Sequence, residues 1–145
     1  MGSRRKAREI ALQILYSSEF SNSEKLDLLD VFPDDKPADQ DSTLFAKLLV
    51  SGTLEKKNEI DQMTEKLVKN WSIDRLSLID RNIIRICAYE MIFLSHAGLN
   101  EDVIPHAVSI NEAVEIAKKF STPDSGKFVN GVLDQLRKEY TQDKG

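Results

Sequence analysis

The chain has 145 residues and a mass of 16.4 kDa, the size of one ordinary domain. With 41% hydrophobic and 30% charged residues it can build a core and is too apolar to be disordered throughout. The net charge of −4 argues weakly against a polyanionic partner, and a single cysteine, Cys87, excludes both a disulfide scaffold and a multi-cysteine zinc site.

The charge is unevenly placed. Arg4, Arg5, Lys6 and Arg8 crowd the beginning of the chain, an acidic stretch follows from Glu19 to Glu65, and basic residues return after Lys118. An acidic body with basic ends suggests one localised anion-binding face. From Arg4 to Phe20 the residues Ala7, Ile10, Ala11, Ile14 and Leu15 recur at helical spacing and mark a buried stripe. Leu12, Tyr16 and Phe20 form a second row at i, i+4, which is either core in a two-layer bundle or a docking face. Basic residues at a helix start oppose the macrodipole. The basic cap is therefore either a solubilising terminus or a group that a polyanion neutralises.

Ser21 to Asp41 reads as a short helix (Leu26, Leu28, Leu29, Phe32) followed by a loop at Pro33-Asp34-Asp35-Lys36-Pro37. A long helix or broken pair covers Ser42 to Trp71, with Leu44, Leu48 and Leu49 and then Ile60, Met63, Leu67 and Trp71 inward. Gly52 permits close packing there. Ser77-Leu-Ile-Asp80 resembles a capping box. The segment from there to Leu94 is apolar on nearly every side, which marks a buried central helix. The Ser95 to Val108 loop precedes a second capping box, Ser109-Ile-Asn-Glu112, whose helix runs to Phe120 with Ile110, Ala113, Val114 and Ala117 inward. Thr122-Pro123 supplies an N-cap and a first-turn proline for the last helix, with Phe128, Val132, Leu136 and Tyr140 as its stripe. The fold expected is an all-α bundle of about seven helices. No apolar stretch is long enough to span a membrane and no secretory leader is recognised, so the expected location is cytoplasmic.

Catalytic signals are weak. No Gly-rich phosphate loop, HExxH, GxSxG or CxxC occurs. Cys87 reads as an inert core thiol rather than a nucleophile, and His96 and His106 as surface histidines. Glu90, inside the apolar helix, calls for a partner such as an arginine from a neighbouring helix; only an open pocket around it would favour hydrolysis. The opening of the last helix, Thr122 to Phe128, is either an ordinary helix start or an anion site. In the second case Lys127 adds charge, Phe128 stacks on a base, and Asp124 repels phosphate.

Taken together, these segments resemble the NusB family of bacterial transcription antitermination factors. Arg4-Arg5-Lys6-Ala7-Arg8-Glu9 with Ala11-Leu12-Gln13-Ile14-Leu15-Tyr16 looks like the family's Arg-rich opening helix. Asp80-Arg81-Asn82-Ile83-Ile84-Arg85-Ile86 with Tyr89-Glu90 resembles its central helix. Ser109 to Lys118 and Lys127-Phe128-Val129-Asn130-Gly131-Val132-Leu133-Asp134 resemble its C-terminal signature.

The resemblance implies two small packed helical bundles, at about residues 4–71 and 75–140, in a single RNA-binding domain. It implies no enzymatic activity and no cofactor. It implies binding of single-stranded boxA RNA of nascent ribosomal RNA transcripts jointly with NusE, a small-subunit ribosomal protein, and assembly with other Nus factors and RNA polymerase. By matching position, Arg4, Arg5, Lys6, Arg8, Gln13, Asp124, Lys127 and Phe128 would meet RNA, and Leu12, Tyr16 and Asp80 would meet NusE. Arg85, Glu90 and Asn130 are read as internal polar contacts. Some family members form homodimers that hide the RNA face. The same fold occurs fused to RNA methyltransferases, a reading that the length disfavours. The alternative is a protein-only scaffold whose basic start is a solubility tail.

Overall fold

The computed structural model describes residues 2–19, 40–68, 76–94 and 105–141. The expected short helix and loop between 21 and 39, Phe20, Trp71, His96 and most of the 95–108 loop lie outside them. The described residues contain no strand. They form α1 (Gly2–Ser18), α2 (Gln40–Leu67), α3 (Leu78–Ala88) running directly into a π-helical turn (Tyr89–Phe93), α4 (His106–Phe120) and α5 (Pro123–Tyr140). The described residues are all-α as expected, and α2 is a single unbroken helix.

Local chemistry explains the helix starts. The Ser77 side chain accepts the Asp80 N–H at 3.0 Å to open α3. Thr122 caps α5 by accepting the Ser125 N–H at 3.1 Å, with Pro123 in the first turn. The second capping box is a correction. Helix α4 begins earlier, at His106 behind Pro105, so Ser109 and Glu112 lie inside it and their side chains are committed elsewhere.

The buried stripe of α1 (Ala7, Ile10, Ala11, Ile14, Leu15) packs on α2 and α3, while α4 packs on α5. Helix α3 touches all four other helices, which is why it is buried nearly all round. Ile14, Leu49, Ile60, Ile84, Met91, Leu133 and Leu136 are fully enclosed in one continuous core, each contributing about 1.5–3 kcal/mol by leaving water. Leu44 corrects the expected stripe of α2: it is 62% exposed, and Phe45 at 7% takes the inward place. Successive helical residues are turned by about 100°, and the line through Ala46, Leu49, Thr53 and Ile60 leaves Leu44 outside. Asn130 is a second correction. It is exposed, because Val129, Val132, Leu133 and Leu136 define the inner face of α5 and turn Asn130 away.

Candidate nucleic-acid interface

Helix α1 sorts its charges by row. Arg5, Glu9 and Gln13 stand at i, i+4 and i+8, with Arg5 and Gln13 exposed. Lys6 is exposed beside them. Arg4, Arg8 and Leu12 form the adjacent row, which turns inward.

Arg4 is half-buried, its guanidinium 4.5 Å above the Phe45 ring. Arg8 is only 4% exposed, which corrects its expected place in an exposed basic group. Its Nε and Nη2 donate to the two oxygens of Glu90 at 2.8 and 2.7 Å, and Ser109 Oγ donates to Glu90 Oε1 at 3.2 Å. Burial by itself lowers the Arg8 pKa, but the Glu90 hydrogen bond and charge outweigh it, so the guanidinium stays cationic. The expected arginine partner of Glu90 is therefore found, and the hydrolase reading ends with it.

Arg85 is likewise internal, bound bidentately to Asp61 at 2.8 Å on each arm. Burial, with the Glu90 charge beside it, pushes the Cys87 thiol well above its usual range, so the thiol is inert.

Among the described residues three ion pairs tie α1 to α4, the longest of them Arg8 with Glu112 at 3.9 Å. Arg5 holds Glu112 through two hydrogen bonds of 2.8 and 2.7 Å, and Lys119 Nζ reaches Glu9 at 3.1 Å. The Arg5 hydrogen bond holds the Glu112 carboxyl below the usual carboxylate range. What stability this pair adds is present above that range and fades as pH falls through the lowered value.

At the far end of α4, a Cβ on buried Gly126 would stand 3.1 Å from Lys118 Cγ. Gly126 thus serves helix–helix packing, and α4 links the charged row of α1 to the start of α5. There Asp124 and Lys127 are exposed, while Phe128 is half-buried against the core.

The expected protein-docking residues divide. Tyr16 is 37% exposed, whereas Leu12 is 3% exposed and belongs to the core. The two share one row, yet of them only Tyr16 reaches the surface. Asp80 is also buried, accepting from Ser125 Oγ at 3.0 Å, and joins α3 to the start of α5. Both corrections have the same cause: each position lies where α1 or α3 crosses its neighbours.

The sequence reading missed Glu112, Glu9 and Lys119 as parts of this face. No local pattern marks an Arg5–Glu112 pair separated by 107 residues. Arg8 could have been found, because it shares a helical row with apolar Leu12 and Glu90 required an arginine.

A family model described as the NusB family matches residues 5–138. The chain is 44% identical over 137 residues to the transcription antitermination protein NusB of Geobacter sulfurreducens, covering 94% of each chain. It is 44% identical to that of Bacillus licheniformis, covering 94% of this chain and 97% of the relative. Among solved structures, T. maritima NusB superposes with a TM-score of 0.83 at 35% identity, covering 97% of this chain and 94% of the other. A chain from the complex of antitermination factors NusB and NusE with double-stranded RNA superposes with a TM-score of 0.81 at 31% identity, covering 97% and 99%.

Proposed function

The chain belongs to the NusB family of transcription antitermination proteins, and from that premise we propose that it binds boxA RNA of nascent ribosomal RNA transcripts together with NusE. It is a regulatory protein of transcription in this reading, not an enzyme. It works in the cytoplasm, where the transcript and RNA polymerase are, and joins the other Nus factors there. Among the described residues no helix is long and apolar enough to cross a membrane.

The observation that carries the reading is the exposed polar row of α1 (Arg5, Gln13, with Lys6 beside it), linked through α4 to Lys127 at the start of α5. Cations along this face position the phosphate backbone, and the exposed part of Phe128 stacks on an unpaired base. Arg4 adds a guanidinium plane braced by Phe45. Arg8, Leu12 and Asp80 act beneath the surface, fixing the helices that present these groups. NusE docks beside Tyr16 and extends the RNA surface, so that RNA and protein bind cooperatively and reciprocally.

The test is fluorescence anisotropy with a labelled boxA-type RNA and a scrambled control, with and without NusE, across a salt series. Preference for boxA that NusE enhances, with a salt slope reduced by Arg5→Ala, supports the reading. Equal weak binding to both RNAs, indifferent to NusE, overturns it in favour of a protein-only scaffold.

Two variants sharpen the placement. Asp124→Asn removes a like charge near phosphate and is expected to tighten RNA binding by about threefold at low salt, fading as salt screens it. Unchanged binding would move the RNA away from the start of α5. Tyr16→Ala should weaken NusE capture by about tenfold, as losses at partly buried aromatic contacts do, with an unchanged circular dichroism spectrum. A lost helical signal would instead place Tyr16 in the core.

A further inference from the structure

The cation row of α1 is already engaged before any ligand arrives. Arg5 Nε donates to Glu112 Oε1 and Nη2 donates to Oε2, at 2.8 and 2.7 Å. This is the same two-pronged edge that a guanidinium offers to a phosphate. The Glu112 side chain is 17% exposed and that of Arg5 44%, so the carboxylate is the anchored partner and the arginine the accessible one. Glu112 Oε1 also lies 3.9 Å from Arg8 Nη1, and Arg8 is itself bound to buried Glu90. The acid thus belongs to a chain of charges rooted in the core and ending at the surface on Arg5.

The geometry points to Glu112 as a built-in competitor for RNA phosphate: it occupies the binding edge of Arg5 and thereby limits the affinity and salt dependence of RNA binding. This deepens the reading given above and rests on it. A phosphate approaching Arg5 has two routes. It displaces the carboxylate, breaking two charge-assisted hydrogen bonds, or it shares the guanidinium and sets two anions side by side. Both routes weaken the contact that an unclamped arginine would make. Neighbouring groups reinforce the effect. Glu9 and Glu115 both act on Arg5 electrostatically, and Glu9 also holds Lys119, so the second cation of the seam is engaged in the same way. A contact that must exchange one anion for another also releases fewer counterions than one made by a free arginine, which flattens the salt dependence.

The test compares wild type, Glu112→Gln, Arg5→Ala and the double variant by anisotropy, on a boxA-type RNA and a scrambled RNA of equal length, over a salt series. Glu112→Gln is expected to tighten binding of both RNAs by about fivefold at low salt, the scale of an exposed ion pair. It should steepen the logarithmic salt slope by about 0.7, the increment for one more phosphate on a single strand. Both gains should vanish when Arg5 is alanine. Glu112→Asp, which keeps the charge but shortens its reach, should gain less than Glu112→Gln and guards against a folding effect of the amide.

Unchanged or weaker binding by Glu112→Gln overturns the inference and makes Glu112 a brace for Arg5. A gain that survives in Arg5→Ala overturns it too, because it would be a general charge effect. The ratio of boxA to scrambled affinity reports separately on the proposed function. A ratio near one with an Arg5-dependent gain removes the sequence-specific reading and leaves the competitor standing. A high ratio with no gain does the reverse. Absence of binding by every variant overturns both.

Discussion

Arg8→Ala is expected to cost about 3–5 kcal/mol of folding stability, the penalty for stranding a buried charge. The alanine removes both donors from Glu90 and leaves its carboxylate with the Ser109 hydroxyl at 3.2 Å. The Glu90 side chain is 2% exposed, so water cannot replace the lost guanidinium without opening the junction of α1, α3 and α4. The denaturant midpoint should fall with the slope of the transition unchanged. Glu90→Gln should cost less, since the amide oxygen still accepts one hydrogen bond from the arginine, although the guanidinium loses its counter-charge. A paired apolar exchange, Arg8→Met with Glu90→Leu, should recover most of the loss, because neither charge is then left alone. An Arg8→Ala protein that keeps its midpoint but loses RNA binding would return Arg8 to the phosphate contacts.

Gly52→Ala is expected to destabilise by about 2 kcal/mol or more, against the sign that helix propensity gives. Gly52 lies within α2, where exchange of glycine for alanine ordinarily stabilises by about 1 kcal/mol. Here an added Cβ would overlap the Tyr89 ring at Cζ, Oη and Cε1. The ring is not free to retreat. Tyr89 is 8% exposed, begins the π-helical turn and stacks against Phe93 with centroids 6.3 Å apart. The collision can be relieved only by parting α2 from the turn that carries Glu90, so the damage should reach the Arg8–Glu90 pair. Thermal unfolding of Gly52→Ala, Tyr89→Leu and the double variant tests this. The double variant should lose less than the sum of the singles. A Gly52→Ala protein more stable than wild type would show that Tyr89 finds another rotamer at no cost.

Both effects meet on the π-helical turn, which the sequence did not announce. The run from Ile83 to Leu94 was legible as a buried helix because apolar residues surround it. Its change of winding at Tyr89 was not, since no residue type specifies a π turn. It coincides with the one point in that run where a large ring must fit against a glycine and a carboxylate must meet an arginine. Glu90 itself was readable as needing a partner.

The identity of that partner follows from the rows of α1. The basic cluster looks uniform in one dimension, yet a rotation of about 100° per residue separates Arg5 and Lys6 from Arg8. Leu12 and Tyr16 show the converse: one row, with Leu12 enclosed and Tyr16 37% exposed. Asp80 and Asn130 were misjudged for the same reason, in opposite directions.

The amino-acid sequence by itself determined the all-α class, the inward stripe of α1, the serine and threonine caps of α3 and α5 and the membership of the family. These depend on periodicity, on capping within three or four residues and on motifs in order, all of which are local in the chain. The tertiary structure alone decided which charges are spent inside and which remain for a ligand. Arg8 with Glu90 and Arg5 with Glu112 are pairs across 82 and 107 residues. An arginine's role is set by the carboxylate that packing brings to it and by how much water is left around the two.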